Sequence, residues 1–217
     1  MKSLNQYIKE KLIINRDYHE AKIAVKSFDE LRNIIEDRYY KLGPGTEQDP
    51  IDFNDIDVSN IDSFYNSNID KGIFEGTKFK HIDISDWNVS NVTDMEDMFF
   101  MCVELKSTGD LSNWDVSKVT NMCSMFYKCK ELESVGDISK WDVSSVISMS
   151  YMFYDCENFN QDISGWDVSN VTNMHKMFFG CTSVNQDLSG WNVSKVRFKG
   201  DIFTGCPIKN EYKPKFK

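Results

Sequence analysis

The chain has 217 residues, 41% of them apolar and 13% aromatic, with 25 Lys and Arg set against 34 Asp and Glu for a formal net charge of -9. That apolar content is enough for an extended core and excludes a disordered chain. The acidic balance argues against a nucleic-acid partner, whose phosphates demand clustered Lys and Arg, and no apolar run is long enough to insert into a membrane.

The start, Met1 to Leu12, interrupts every apolar pair with charge, so it lacks the unbroken apolar stretch of a signal peptide. The expected location is therefore the cytoplasm, or a released or virion-associated state if the protein is phage-encoded. Leu4, Tyr7, Ile8 and Leu12 make one helical stripe. Phe28, Leu31, Ile34, Ile35 and Tyr39 make a second, opened by the capping pair Ser27 and Glu30 and closed by Gly43-Pro44. Residues 1–50 are read as an N-terminal helical segment and cap, whose first helix is also a candidate for docking onto another protein. They hold nine basic and nine acidic residues, so the negative charge lies in 51–217.

From there one unit recurs. Trp87, Trp114, Trp141, Trp166 and Trp191, spaced by 27, 27, 25 and 25 residues, are each followed fifteen residues later by Cys102, Cys129, Cys156, Cys181 or Cys206. The unit reads Asp-(Ile/Leu)-Ser-x-Trp-(Asp/Asn)-Val-Ser-x-Val-x-x-Met-x-x-Met-Phe-x-x-Cys, and length varies only between the cysteine and the next aspartate. Full units start at Asp83, a degenerate unit occupies 51–77 with Ile56 and Thr77 in the tryptophan and cysteine positions, and the repeat region spans 51–206, followed by a basic tail over 207–217. A fixed period in this range signals a repeat array. Near-period-two alternation through Asp162–Val168 predicts a short strand around Ile163. Met174, Met177, Phe178 and Cys181 fall on a helical stripe with Thr172 as N-cap, and Thr93 with Glu96 forms a capping-box pattern. The fold expected is an α/β solenoid of the leucine-rich-repeat kind, with one short parallel strand and one helical turn per 25–27 residues behind an N-terminal helical cap.

These units resemble the BspA-type leucine-rich repeats, in the variant found in mycoplasmal and Bacteroidetes surface proteins and in some viruses. The resemblance covers about residues 51–206. It implies a non-enzymatic protein- or glycan-binding module and an adhesive surface protein, although fold alone does not set function. A structural or host-interaction subunit of a larger particle such as a phage virion, anchored by the N-terminal helices, is the alternative.

The residue just before each tryptophan, Asp86, Asn113, Lys140, Gly165 and Gly190, changes chemically from unit to unit and is the candidate binding column. The tryptophans keep register with the Met, Phe and Val columns, which favours a place in the core over an exposed aromatic ladder. One cysteine per unit and no Cys-x-x-Cys pair favour buried thiols over a zinc site, with Cys123, outside the column, the more accessible thiol. Asp110, Asp137 and Asp162, in a column with Asp83 and Asp187, are weak candidates for calcium; aspartates satisfying turn amides, with no metal or other cofactor, are the stronger reading. His19, His81 and His175 occupy unrelated contexts, and no nucleophile elbow or phosphate loop occurs, so no enzyme is expected.

Overall fold

The computed structural model describes residues 22–216. The first expected helix, Leu4 to Leu12, and His19 lie outside the described residues.

A two-residue strand β1 (Ile23–Ala24) precedes helix α1 (Phe28–Leu42). Ser27 Oγ accepts the Glu30 N–H at 3.2 Å, Asp29 and Glu30 sit where the helix N-terminus favours negative charge, and Gly43, at φ 79°, ends the helix with its N–H returned to the Tyr39 carbonyl. The helix buries Leu31 and Ile35 and lies over the degenerate unit. Arg32 donates to the main-chain carbonyls of Gly72, Ile73 and Glu75 at 2.8, 3.0 and 3.2 Å, and Arg38 grips both carboxylate oxygens of Asp55 at 2.7 Å. Forked guanidinium donors suit both tasks.

The other strands are equally short. They are β2 (Ile51–Asp52), β3 (Ile56–Asp57), β4 (Tyr65–Asn66), β5 (Lys71–Gly72) and β6 (Ile82–Asp83). β1 pairs with β3 and β2 with β6 in parallel, and β4 with β5 antiparallel, giving three separate two-stranded sheets. Ile56 and Thr77 stand 21 residues apart, against fifteen from each tryptophan to its cysteine, and the six extra residues fall in the β4–β5 region.

The expected α/β solenoid of strand-plus-helical-turn units is overturned. Among the described residues the single α-helix lies outside the full units, which consist of turns, irregular backbone, isolated parallel bridges and one 3₁₀ turn at Ile138–Lys140. No strand forms around Ile163 and no helix over Thr172–Cys181. Two residues per unit explain the failed helix: Asp97, Ser124, Tyr151, Lys176 and Asp201, and then Met101, Lys128, Asp155, Gly180 and Gly205, all have φ between 52° and 79°. A left-handed residue cannot continue a right-handed helix. Alternate N–H groups also leave the segment. Those of Met174, Lys176, Phe178 and Gly180 donate to Phe198, Gly200, Ile202 and Thr204 of the next unit, while Met177 and Cys181 close local turns onto Met174 and Phe178. The Met-x-x-Met-Phe-x-x-Cys spacing therefore repeats a turn. Thr172 does not cap a helix; its hydroxyl donates to the Ile147 carbonyl at 3.3 Å.

One hydrophobic core runs from Val25 to Ile208 and takes in the Trp, Val, Met, Phe and Cys columns. Each indole N–H donates to a carbonyl of the preceding unit, as Trp141 does to Leu111 at 3.0 Å and Trp166 to Ile138 at 2.9 Å. Phe99, Phe126, Phe153 and Phe178 stack face to face at 5.3 to 5.7 Å between centroids. All six cysteines are free, and the column thiols donate to main-chain carbonyls, Cys156 to Phe126 at 2.9 Å for one. Burial pushes the Cys102 thiol up to about 11 and the Cys129 and Cys156 thiols well above their ordinary range. These sulfurs behave as small apolar residues with a weak donor. Cys123 is only half-buried, its Sγ 3.2 Å from Ser150 Oγ.

Candidate functional site

The column Asp86, Asn113, Lys140, Gly165 and Gly190 is exposed throughout. No hydrogen bond or ion pair joins any two of its members among the described residues. Asp86 is tied only through its backbone, its N–H to Asn54 Oδ1 at 2.8 Å and its carbonyl to Lys22 Nζ at 3.1 Å. The column is thus a series of separate surface positions.

The weak calcium candidates are engaged otherwise. Asp137 Oδ1 accepts the N–H and hydroxyl of Ser139 at 3.1 and 2.6 Å, Asp162 Oδ1 those of Ser164 at 3.0 and 2.7 Å, and Asp110 those of Ser112. These are aspartate turns, in which the carboxylate satisfies the amide two residues on. The serine hydrogen bonds hold the Asp137 and Asp162 carboxyls below their usual range. Among the described residues no group of three His, Cys, Asp or Glu is arranged to hold a metal ion. His81 and His175 remain apart in separate units.

A different face carries more chemistry. The residue after each core phenylalanine is aromatic in four consecutive units, and Phe100, Tyr127, Tyr154 and Phe179 stack at centroid separations of 4.6, 4.7 and 4.8 Å, all half-buried. The positions that follow them vary, being Met101, Lys128, Asp155 and Gly180. The Lys128 and Lys176 ammonium groups lie over the Tyr127 and Phe179 rings at 5.3 and 5.6 Å, and the edge of Tyr151 meets His175. The four aromatics stood in the sequence at a position read as variable. Their shared ring chemistry was the signal that could have found them.

Charge changes along this face. Near α1, Glu96 lies close to Asp94 and Asp70, and Asp97 close to Glu96, Glu75 and Asp70, whereas His175, Arg197 and Lys199 gather at the other end. Burial first, then the nearby charges of Glu96, Glu75 and Asp70, push the Asp97 carboxyl up from 3.8 to about 7. Asp94 and Glu96 are also raised, chiefly by burial. A carboxyl raised in the folded state binds a proton more tightly there than in the unfolded chain. Its contribution is present at low pH and is lost as pH climbs from about 4 through about 7. Urea midpoints are accordingly expected to fall between about pH 5 and about pH 8, and Asp97→Asn to flatten that fall and raise the midpoint at the upper pH. Asp57, Asp83 and Asp115, held low by serine hydrogen bonds, act in the opposite sense only below about pH 4. A variant as pH-dependent as the parent would remove Asp97 from this role.

A family model described as "Mycoplasma protein of unknown function, DUF285" matches residues 49–136 and again 100–215. No curated protein and no solved structure matches the chain. Because the two family matches together run from 49 to 215, across all the full units and most of the 217 residues, the chain belongs to the DUF285 family.

Proposed function

We propose that the chain is a non-enzymatic binding module whose partner, a protein or a glycan, is met by the face built around Phe100, Tyr127, Tyr154 and Phe179. The observation that carries this reading is the half-buried aromatic row itself, ringed by side chains that differ from unit to unit. Aromatic residues concentrate binding energy at interfaces, and rigid core columns around a variable surface let a scaffold diversify without refolding. Tyr127 and Tyr154 are covered on both ring faces by neighbours, so ring edges meet the partner. That suits protein carbonyls and aliphatic groups better than the flat face of a sugar. The resemblance of the units to BspA-type surface proteins supports an adhesive role.

The test is a glycan array together with quantitative capture of cell-surface proteins, comparing the parent with Tyr127→Ala, Tyr154→Ala and the pair Asp86→Lys with Lys140→Glu, each checked for folding by circular dichroism. The tyrosine variants are expected to weaken partner binding about tenfold or more, the usual result of truncating a central aromatic. If only the charge reversals reduced binding, the partner would sit on the column before the tryptophans.

A further inference from the structure

The two ends of the repeat region differ in which backbone groups they leave over. At each junction between full units four alternate N–H groups of one unit donate to four carbonyls of the next, as Met149, Tyr151, Phe153 and Asp155 do to Asn173, His175, Met177 and Phe179. These four donors of a unit are therefore satisfied by the unit after it. At the end near α1 the leftover groups are carbonyls, and the Arg32 guanidinium covers those of Ile73 and Glu75 while also donating to Gly72, whose carbonyl accepts from Glu75 N–H. At the far end the leftover groups are donors. Among the described residues the N–H groups of Asp201, Phe203 and Gly205 have no acceptor. Residues 206–216 do not supply one: the chain turns aside through Pro207, and its Tyr212 carbonyl accepts instead from Leu188 N–H at 2.8 Å.

Positive charge surrounds that open row. Beside it lies an open depression of about 490 Å³ lined by Asn173, His175, Arg197, Phe198, Lys199 and Gly200. Arg197 makes no ion pair among the described residues, and Phe198 is 62% exposed, the most exposed large apolar side chain of the repeat units. The Lys199 ammonium lies over the Phe216 ring at 5.8 Å, and that of Lys213 over Phe203 at 5.8 Å, which places one further cation at this end. Among the described residues its acids are Asp201, within the row, and Glu211 in the short 3₁₀ turn Asn210–Tyr212. In a chain of net charge -9, this is a basic end with unpaired donors.

We infer that this edge is a second binding site, separate from the aromatic row, for an acidic peptide segment. Carbonyls of the segment would take the Asp201, Phe203 and Gly205 donors, a carboxylate would meet Arg197, and an apolar side chain would cover Phe198. Addition of a segment to an open backbone edge is a recurrent mode of peptide recognition, with main-chain hydrogen bonds giving affinity and flanking side chains selectivity. A second copy joined end to end does not fit, because its carbonyl end is already covered by Arg32. A nucleic acid would meet the same cations but would supply phosphates, not a row of carbonyls at alternate residues.

Fluorescence anisotropy with the 217-residue chain tests this, using a labelled decapeptide of alternating Glu and Val and one of alternating Lys and Val as control. The acidic peptide is expected to bind, the basic one not, and the pair Arg197→Glu with Lys199→Glu to weaken binding about tenfold. Amide spectra of the ¹⁵N-labelled parent should show shifts at Asp201, Phe203 and Gly205, while Lys176, Phe178 and Gly180, whose donors are already paired, stay in place. Equal binding of both peptides, or shifts confined to the aromatic row, would overturn the inference. Those spectra decide the matter even if the charge-reversed variant fails to fold.

Discussion

Trp141→Ala is expected to lower stability by about 3–5 kcal/mol, the usual cost of truncating a large buried aromatic at a site that cannot collapse, and Trp191→Ala by clearly less. Burial does not separate the two, at 4% and 5% exposed. Neighbours do. Trp141 lies between Trp114 at 6.4 Å and Trp166 at 6.3 Å, nearly parallel to both, so its loss opens a hole walled on two sides by packed indoles and ends two ring contacts. Each such contact is worth about 0.5–1.5 kcal/mol beyond the area it buries. Trp191 has a tilted contact with Phe178 at 6.4 Å, and its unit faces only the chain end on its other side, where Val196, Phe203 and Cys206 are already partly open. A hole there can close by small movements. Both variants lose an indole bond to the preceding unit, so that loss cancels in the comparison. Urea unfolding of both proteins measures the difference, and equal losses would mean that the core does not transmit packing from unit to unit.

The sequence made the core legible and the backbone illegible, for one physical reason. Columns of Trp, Val, Met, Phe and Cys report burial whatever backbone carries them, and all five columns are buried in the full units apart from the last. A spacing of i, i+3, i+4, i+7 reports only that those side chains share a side. A helix achieves this, and so does a chain of tight turns in which each N–H alternately closes a turn or crosses to the next unit. What separates the two is a left-handed residue at a fixed place. Asp97, Ser124, Tyr151 and Lys176 are not glycine, so composition did not flag them. The helix α1 was legible because its signals are local: Ser27 and Glu30 begin it and Gly43 ends it. The aspartate turns were legible for the same reason, since carboxylate and amide sit two residues apart. The acidic and basic ends of the aromatic face join residues from different units and could be assembled only in three dimensions.

Gly72→Ala is expected to cost more than any other glycine substitution free of left-handed strain. A Cβ at residue 72 would stand 1.8 Å from the Asp97 carbonyl oxygen, 2.3 Å from its carbon and 2.9 Å from the Met98 nitrogen. All three are backbone atoms, so no side chain can swing aside, and the degenerate unit must move away from the first full one. That movement would strain the bond from Phe74 N–H to the Met98 carbonyl, the Arg32 bonds to the Gly72 and Ile73 carbonyls, and the β4–β5 pairing in which Gly72 opposes Tyr65. Overpacking against immobile atoms typically costs about 1–3 kcal/mol, and more where backbone must shift. Gly76→Ala is the control. Gly76 has φ 66° and nothing within 4 Å of a new Cβ, so only the left-handed conformation opposes it, at about 1–2 kcal/mol. Thermal or urea unfolding of the two variants should therefore rank Gly72→Ala as the less stable. The reverse order would show that the degenerate unit is not pressed against Asp97, and with it that the crowding of Asp70 and Glu75 onto the Asp97 carboxyl is looser than the structure has it.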